Sequence, residues 1–195
     1  MSTTPLSTTS RGGRSPVMVY AASSLDSYLA PPDGSVSWLE TFSTDQAADL
    51  GYDAFLAGIG SLVIGRTTYE QVLGFGEWPY HGKPTAVLTT RESLGDDPPP
   101  PGVRTDHGDD LAQLVRALQD EAEGATWLVG GGTVHRAFLA AGLVDEIWTH
   151  VMPVLLGSGV AMFPPAFPRQ SLTLLESRTY HGGGPGIVLL RYRVD

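Results

Sequence analysis

Three short segments carry residue types suited to gripping an anion. Trp127–His135 reads WLVGGGTVH: an apolar strand, three glycines at Gly130, Gly131 and Gly132, and a helix opening at Thr133 and Val134. Glycine reaches backbone torsions closed to other residues and lets a ligand approach the main chain. Unpaired amides at a helix start then face a negative group, reinforced by the helix dipole. A pyrophosphate is a natural occupant of such a turn. A tight strand-to-helix connection without ligand has the same sequence, so this motif alone leaves both open. The second segment, Ile64–Glu70 (IGRTTYE), also follows an apolar run and adds Gly65, the cation Arg66 and the hydroxyls Thr67 and Thr68. Its Thr67/Glu70 spacing predicts a capping box, and alone it reads equally as a capped helix with a solvated arginine. The third is a strand end, Leu88 followed by Thr89, Thr90 and Arg91. Ligands of open α/β sheets bind outside the carboxyl ends of strands. Three such ends offering glycines, hydroxyls and arginines suit one extended, multiply phosphorylated ligand.

The elements that must position these segments are short. Val17–Ala22, Ser61–Ile64, Thr85–Thr89 and Thr126–Val129 are apolar runs of strand length, with Val103–Thr105 a further short strand. Helical periodicity covers Asp45–Ile59, with Ser43 or Thr44 as its cap, and Asp109–Glu123, where Leu111, Leu114, Val115 and Leu118 share a face. The prolines Pro98–Pro101 require a surface loop. Val144–Val151 is a strand, and Leu172–His181 and Ile187–Val194, joined across Gly182–Gly186, predict an antiparallel hairpin. Strands alternating with helices predict an α/β, three-layer αβα fold around a mostly parallel sheet. Residues 1–15, rich in Ser, Thr and Gly, read as a disordered tail before one domain over 16–195.

Composition narrows the function. There are 195 residues with 24 glycines, 15 prolines and no cysteine, so disulfides, zinc–thiolate sites and thiol catalysis are excluded. The five histidines are scattered, without the spacing of a helical metal site, and no metal is expected. The net charge of −9 and the lack of a basic cluster argue against a nucleic-acid partner. No stretch approaches the roughly 18 apolar residues of a membrane span. The N-terminus also lacks the apolar run of about 7–15 residues that a secretory signal needs. A cytoplasmic protein with no membrane partner is expected.

The glycine triplet is not the dinucleotide fingerprint G-x-G-x-x-G, and no acidic residue ends a following strand at the distance that fingerprint requires. A standard Rossmann domain is therefore not expected. Two arginines in place of the acid favour a 2′-phosphate, hence NADPH over NADH.

Taken in order, Ala21–Ala30, Ile64–Glu70, Val87–Arg91, Leu128–Phe138 and Asp145–Gly159 resemble the dihydrofolate reductase superfamily. The resemblance is greatest to the branch containing the reductase domain of riboflavin biosynthesis (RibD C-terminal domain-like) and runs from residue 17 onward. It implies a dihydrofolate reductase-like fold and NADPH-dependent hydride transfer to a C=N or C=O bond of a small pyrimidine- or pterin-like ring, as in reduction of a ribosylamino-uracil phosphate. By resemblance, Arg66, Thr67 and Thr68 contact cofactor phosphates, while Thr89, Thr90 and Arg91 lie around the 2′-phosphate. Gly130–Val134 wrap the pyrophosphate and the Ala21–Ala22 backbone lies near the nicotinamide.

There are departures. Ser27 follows Asp26 where this branch usually has glycine. Asp49 and Asp53 lie in the helix where true dihydrofolate reductases carry a carboxylate, but in no matching context, although Thr149 matches the position that would bond such a group. Pro153 and Gly157–Gly159 follow the riboflavin-type pattern. The substrate cleft is expected between the Ser23–Trp38 loop, the Asp45–Ile59 helix and the Thr149–Pro153 strand end. Candidate catalytic residues are Asp26 and Thr149, with Asp26, Trp38, Asp53, His150 and Pro153 as substrate contacts. Four of them also have a plain structural reading: Trp38 as packing, Asp26 as a loop cap, Asp53 as a solvated residue, His150 as a satisfied strand histidine. A true dihydrofolate reductase and a non-catalytic NADPH-binding protein are the competing readings. A homodimer through the terminal hairpin and the apolar Val151–Phe163 segment is expected, since exposed sheet edges are usually covered.

Overall fold

In a computed structural model, residues 13–42, 50–95, 97–181 and 186–195 are described. Ten strands and four α-helices are assigned among them: β1 (Val17–Ser24), β2 (Tyr28–Ala30), α1 (Tyr52–Ala57), β3 (Ile59–Gly65), α2 (Arg66–Gly74), β4 (Thr85–Leu88), β5 (Val103–Asp106), α3 (Leu111–Glu121), β6 (Ala125–Gly130), α4 (Gly132–Ala140), β7 (Glu146–Met152), β8 (Val160–Ala161), β9 (Leu172–Tyr180) and β10 (Ile187–Val194). A 3-10 helix spans Ser37–Phe42.

Eight strands form one sheet in the order β5-β4-β3-β6-β1-β7-β10-β9. The six from β5 to β7 are mutually parallel, and β10 runs antiparallel to both β7 and β9. This is the expected three-layer α/β fold with an antiparallel C-terminal hairpin. Every residue of β3 except its last is buried, as a strand covered on both faces requires. Val17, Val19, Val63 and Leu128 pack under α3 and α4, through Leu114, Leu118 and Phe138. The opposite face is aromatic: Phe55, Tyr69, Tyr80, Trp127 and Trp148 pack with Met18 and Leu62. There Tyr20 stacks on Phe55 at 4.0 Å between ring centroids.

Some boundaries differ from the sequence reading. The described part of the Asp45–Ile59 helix is only α1, because Leu50 (φ 51°) and Gly51 (φ 85°) are left-handed and cannot continue a helical run. The expected caps Ser43 and Thr44, and Asp49, fall outside the described residues. Helix α3 is capped by Asp110, whose side chain accepts the Gln113 N–H. The Ser23–Ser35 stretch is not all loop: β2 pairs antiparallel with β8 in a small second sheet. Arg14, assigned to the tail, is tied into the fold by a 2.6 Å ion pair with Asp145, which also accepts the Val17 N–H. Among the described residues no helix is long and apolar enough to cross a membrane.

Candidate active site

Parallel pairing places the carboxyl ends of β1, β3, β4, β5 and β6 along one sheet edge, and a cavity of about 1020 Å³ opens there. The structure brings the three anion-gripping segments together on it. Gly65, Arg66, Thr67 and Thr68 line it from β3 into α2, Thr89, Thr90 and Arg91 from the end of β4, and Gly130, Gly131, Gly132, Thr133 and Val134 from β6 into α4, with Ala22 of β1 at the side.

Both helix starts are open toward the cavity. The residues preceding α2 and α4, Gly65 and Gly131, are extended and supply no side-chain cap. An N–H group ahead of the first closed turn can then serve a ligand, although in α4 the Val134 N–H already donates to the Gly131 carbonyl at 2.9 Å. The capping box expected at Thr67 and Glu70 does not form. Strand β3 runs directly into α2, so Thr67 already lies inside the helix, and the Glu70 carboxylate pairs with Arg66 one turn away. The Arg66 Nε is buried with no hydrogen-bond partner among the described residues. The two turns nearly touch: a Cβ on Gly131 would lie 3.6 Å from the Thr68 hydroxyl. Gly130 has φ 132°, which L side chains rarely adopt, and the Gly130–Gly131 peptide is cis. A Cβ on Gly132 would sit 2.1 Å from the Ala161 carbonyl oxygen, so only glycine lets β8 back this turn.

Two histidines overlooked in the sequence belong here. His107, just past β5, lines the cavity beside Arg91, and its Nδ1 donates to the Thr89 carbonyl at 2.9 Å. It ends a fourth parallel strand, so the strand-end rule could have found it. His135 is fully buried behind the glycine turn, and its Nδ1 donates to the Met162 carbonyl at 3.0 Å. Burial pushes its pKa down and keeps it neutral.

The rest of the wall is apolar and aromatic, with Tyr20, Leu29, Val36, Leu39, Val72, Phe75, Tyr80 and Trp127. The Tyr80 phenol is pushed up by burial and shares a hydrogen bond with Tyr52, so both hydroxyls stay protonated. None of the residues proposed from sequence for catalysis or substrate contact lines this cavity. Asp26 accepts the N–H groups of Leu156 (3.0 Å) and Gly157 (2.7 Å) and so clasps a loop; a hydrogen bond from Ser24 and these two amides hold its pKa below the usual carboxylate value, the wrong direction for a proton donor. The Thr149 hydroxyl meets the Ser23 hydroxyl at 3.1 Å and the Met162 sulfur, on the sheet face away from α1. His150 spends Nε2 on the Leu50 carbonyl at 3.1 Å and is held neutral by burial between Tyr20 and Tyr180. Asp53 is exposed in the first turn of α1, Pro153 is exposed beyond β7, and Trp38 packs edge-on against Phe42. The cleft was expected between the Ser23–Trp38 loop, the Asp45–Ile59 helix and the Thr149–Pro153 strand end, but Asp26, Thr149, His150 and Trp38 are held in loop and core contacts, and Asp53 and Pro153 are exposed away from the cavity lining. Among the described residues no group of His, Asp or Glu is placed to hold a metal.

A sheet of this order with a glycine-turn cavity at its parallel edge defines a dihydrofolate reductase-like α/β protein. The chain belongs to the RibD C-terminal domain family, whose model matches residues 16–188. It is 31% identical over 151 residues to the uncharacterized protein YwjB of Bacillus subtilis (strain 168), covering 75% of this chain and 81% of that protein. It is 29% identical over 153 residues to the riboflavin biosynthesis protein RibD of Mycobacterium tuberculosis, covering 71% of this chain but 42% of that longer protein. Among solved structures, a Shewanella sp. PV-4 protein named for riboflavin biosynthesis is 26% identical, with TM-score 0.78 over 92% of this chain and 99% of that one. Dihydrofolate reductase from Enterococcus faecalis complexed with NADP(H) shares the fold at 19% identity, with TM-score 0.63 over 92% of this chain and 96% of that one.

Proposed function

We propose that this chain is an NADPH-dependent oxidoreductase passing hydride to a C=N or C=O bond of a small pyrimidine- or pterin-like ring. The observation that carries this reading is the meeting of two uncapped helix starts, Arg66, Arg91 and five threonines on one cavity that continues into an aromatic wall. The amides of the Gly130–Thr133 turn would hold a pyrophosphate, with the buried, unpartnered Arg66 Nε as an added donor. Thr89, Thr90 and Arg91 would surround a 2′-phosphate. The main chain of Ala21 and Ala22 would border a nicotinamide, whose chemistry when bound is to deliver hydride. The protein's own contribution is orientation and exclusion of water by the aromatic wall.

Asp26 is spent on the Leu156 and Gly157 amides, so we take the proton to come from water. Calorimetric titration tests the reading: NADPH binds, and Arg91→Ala weakens it about tenfold or more while leaving NADH affinity unchanged, as loss of a charge-assisted phosphate contact of about 1.5–3 kcal/mol requires. Absence of NADPH binding at millimolar cofactor refutes it. Stoichiometric binding with no turnover of pterins, pyrimidines or imines would instead favour a non-catalytic NADPH-binding protein. A cytoplasmic homodimer completes the proposal.

A further inference from the structure

Resting on the reductase reading, we infer that His107 is a second specificity-determining residue for the cofactor's 2′-phosphate, joining Arg91 by means of a proton that it takes up when the phosphate binds. Thr89, Thr90, Arg91 and His107 line the cavity together where β4 and β5 end. His107 is exposed, yet it is held from both strands. Its Nδ1 lies 2.9 Å from the Thr89 carbonyl oxygen, and the Thr89 N–H donates to the Asp106 carbonyl at 3.0 Å. The Asp106 carboxylate accepts the Gly108 N–H at 2.7 Å, closing the turn that has His107 at its centre. A side chain fixed in this way loses little freedom when it meets a ligand.

A carbonyl oxygen can only accept, so Nδ1 carries the hydrogen in either charge state of the ring. Nε2 is therefore the atom that gains or loses a proton. Neutral, it presents a lone pair, which repels a phosphate oxygen. Protonated, it is a charged donor beside the Arg91 guanidinium, and such hydrogen bonds are about twice as strong as neutral ones. The charged groups on the adjoining elements are Arg91 and Glu92 after β4, Asp106 at the end of β5, and Asp109 and Asp110 ahead of α3. Asp106 is engaged by Gly108, and Asp110 by the Gln113 N–H. A phosphate dianion set between Arg91 and His107 draws a proton to Nε2, so phosphate binding and proton uptake favour each other. The ligand's own second ionisation, near pH 6, acts in the opposite direction, because acid discharges the phosphate. Tighter binding in more acid solution therefore reports the histidine.

Calorimetric titration with NADP⁺ and NAD⁺ as pH falls from about 8.5 to about 6.5 tests this. Wild type should bind NADP⁺ about fivefold more tightly at the acid end, and at neutral pH binding should take up protons from the buffer. NAD⁺, which lacks the 2′-phosphate, should bind with a level profile. His107→Asn keeps a side-chain N–H for the Thr89 carbonyl but cannot be charged. It should abolish the rise and hold NADP⁺ affinity at the weaker alkaline value throughout. His107→Arg, charged at every pH, should bind NADP⁺ tightly across the whole range. Equal NAD⁺ affinity in all three proteins separates loss of this contact from loss of the fold. A flat or falling NADP⁺ profile in wild type, or a rise that survives in His107→Asn, overturns the inference. Absence of NADP⁺ binding to wild type at every pH refutes the reductase reading itself, and the inference with it.

Discussion

At the scale of single residues, the meeting of three strand ends on one cavity was legible because each signal is local. A strand end, a glycine turn and a helix start are contiguous in sequence, and their backbone amides point where the chain direction dictates. The aromatic wall was not legible, because Tyr20, Phe75, Tyr80 and Trp127 come from four separate segments and meet only through packing. Asp26 illustrates a different limit: a carboxylate in a loop can act as an acid or clasp amides, and only the Leu156 and Gly157 contacts decide. Its neighbour Ser27, where the family usually has glycine, adopts φ 66°. Left-handed torsion costs a non-glycine residue about 1–2 kcal/mol, partly offset by the greater unfolded freedom of glycine. Ser27→Gly should therefore stabilise the protein by roughly 0.5–1 kcal/mol in urea denaturation. Gly132→Ala should do the reverse and lower cofactor affinity more than tenfold, since its Cβ would collide with the Ala161 carbonyl. An unchanged melting temperature and affinity would contradict the backing role of β8.

At the scale of elements, the two C-terminal strands and α3 were read nearly to the residue, as long periodic segments usually are. Helix α1 was overextended because Leu50 and Gly51 leave the helical region despite a continuous apolar pattern. The missing capping box at α2 has its cause in tertiary structure: the first turn faces the cavity, and Glu70 is drawn to Arg66. Phe55 of α1 is 1% exposed and stacked on Tyr20, next to the cavity wall. Phe55→Ala should cost about 3–5 kcal/mol by denaturant unfolding. Removing the α3 cap with Asp110→Ala should cost about 1 kcal/mol and leave NADPH binding intact.

At the scale of the whole molecule, His135 and His150 are buried and neutral, with folded pKa values below that of the free side chain, 6.5. Below that pH the unfolded chain binds protons that the folded chain refuses, so stability falls as pH drops from 6.5 and is fully retained above it. Melting temperatures across pH 5–8 should show this slope, and His150→Gln should flatten it. The exposed Leu172 and Leu174 on the edge strand β9 would supply the surface of the proposed homodimer. Light scattering should report twice the chain mass, and Leu174→Lys should halve it.

Strand β8, only two residues long, stands behind two neighbours at once. The Ala161 carbonyl abuts Gly132 in the glycine turn, and Ala161 also pairs with Tyr28, next to Leu29 on the cavity wall. A ligand that seats the glycine turn should therefore also bear on the rung that carries Leu29. Hydrogen exchange should slow at the amides of residues 28–30 when NADPH is added, although no phosphate reaches them.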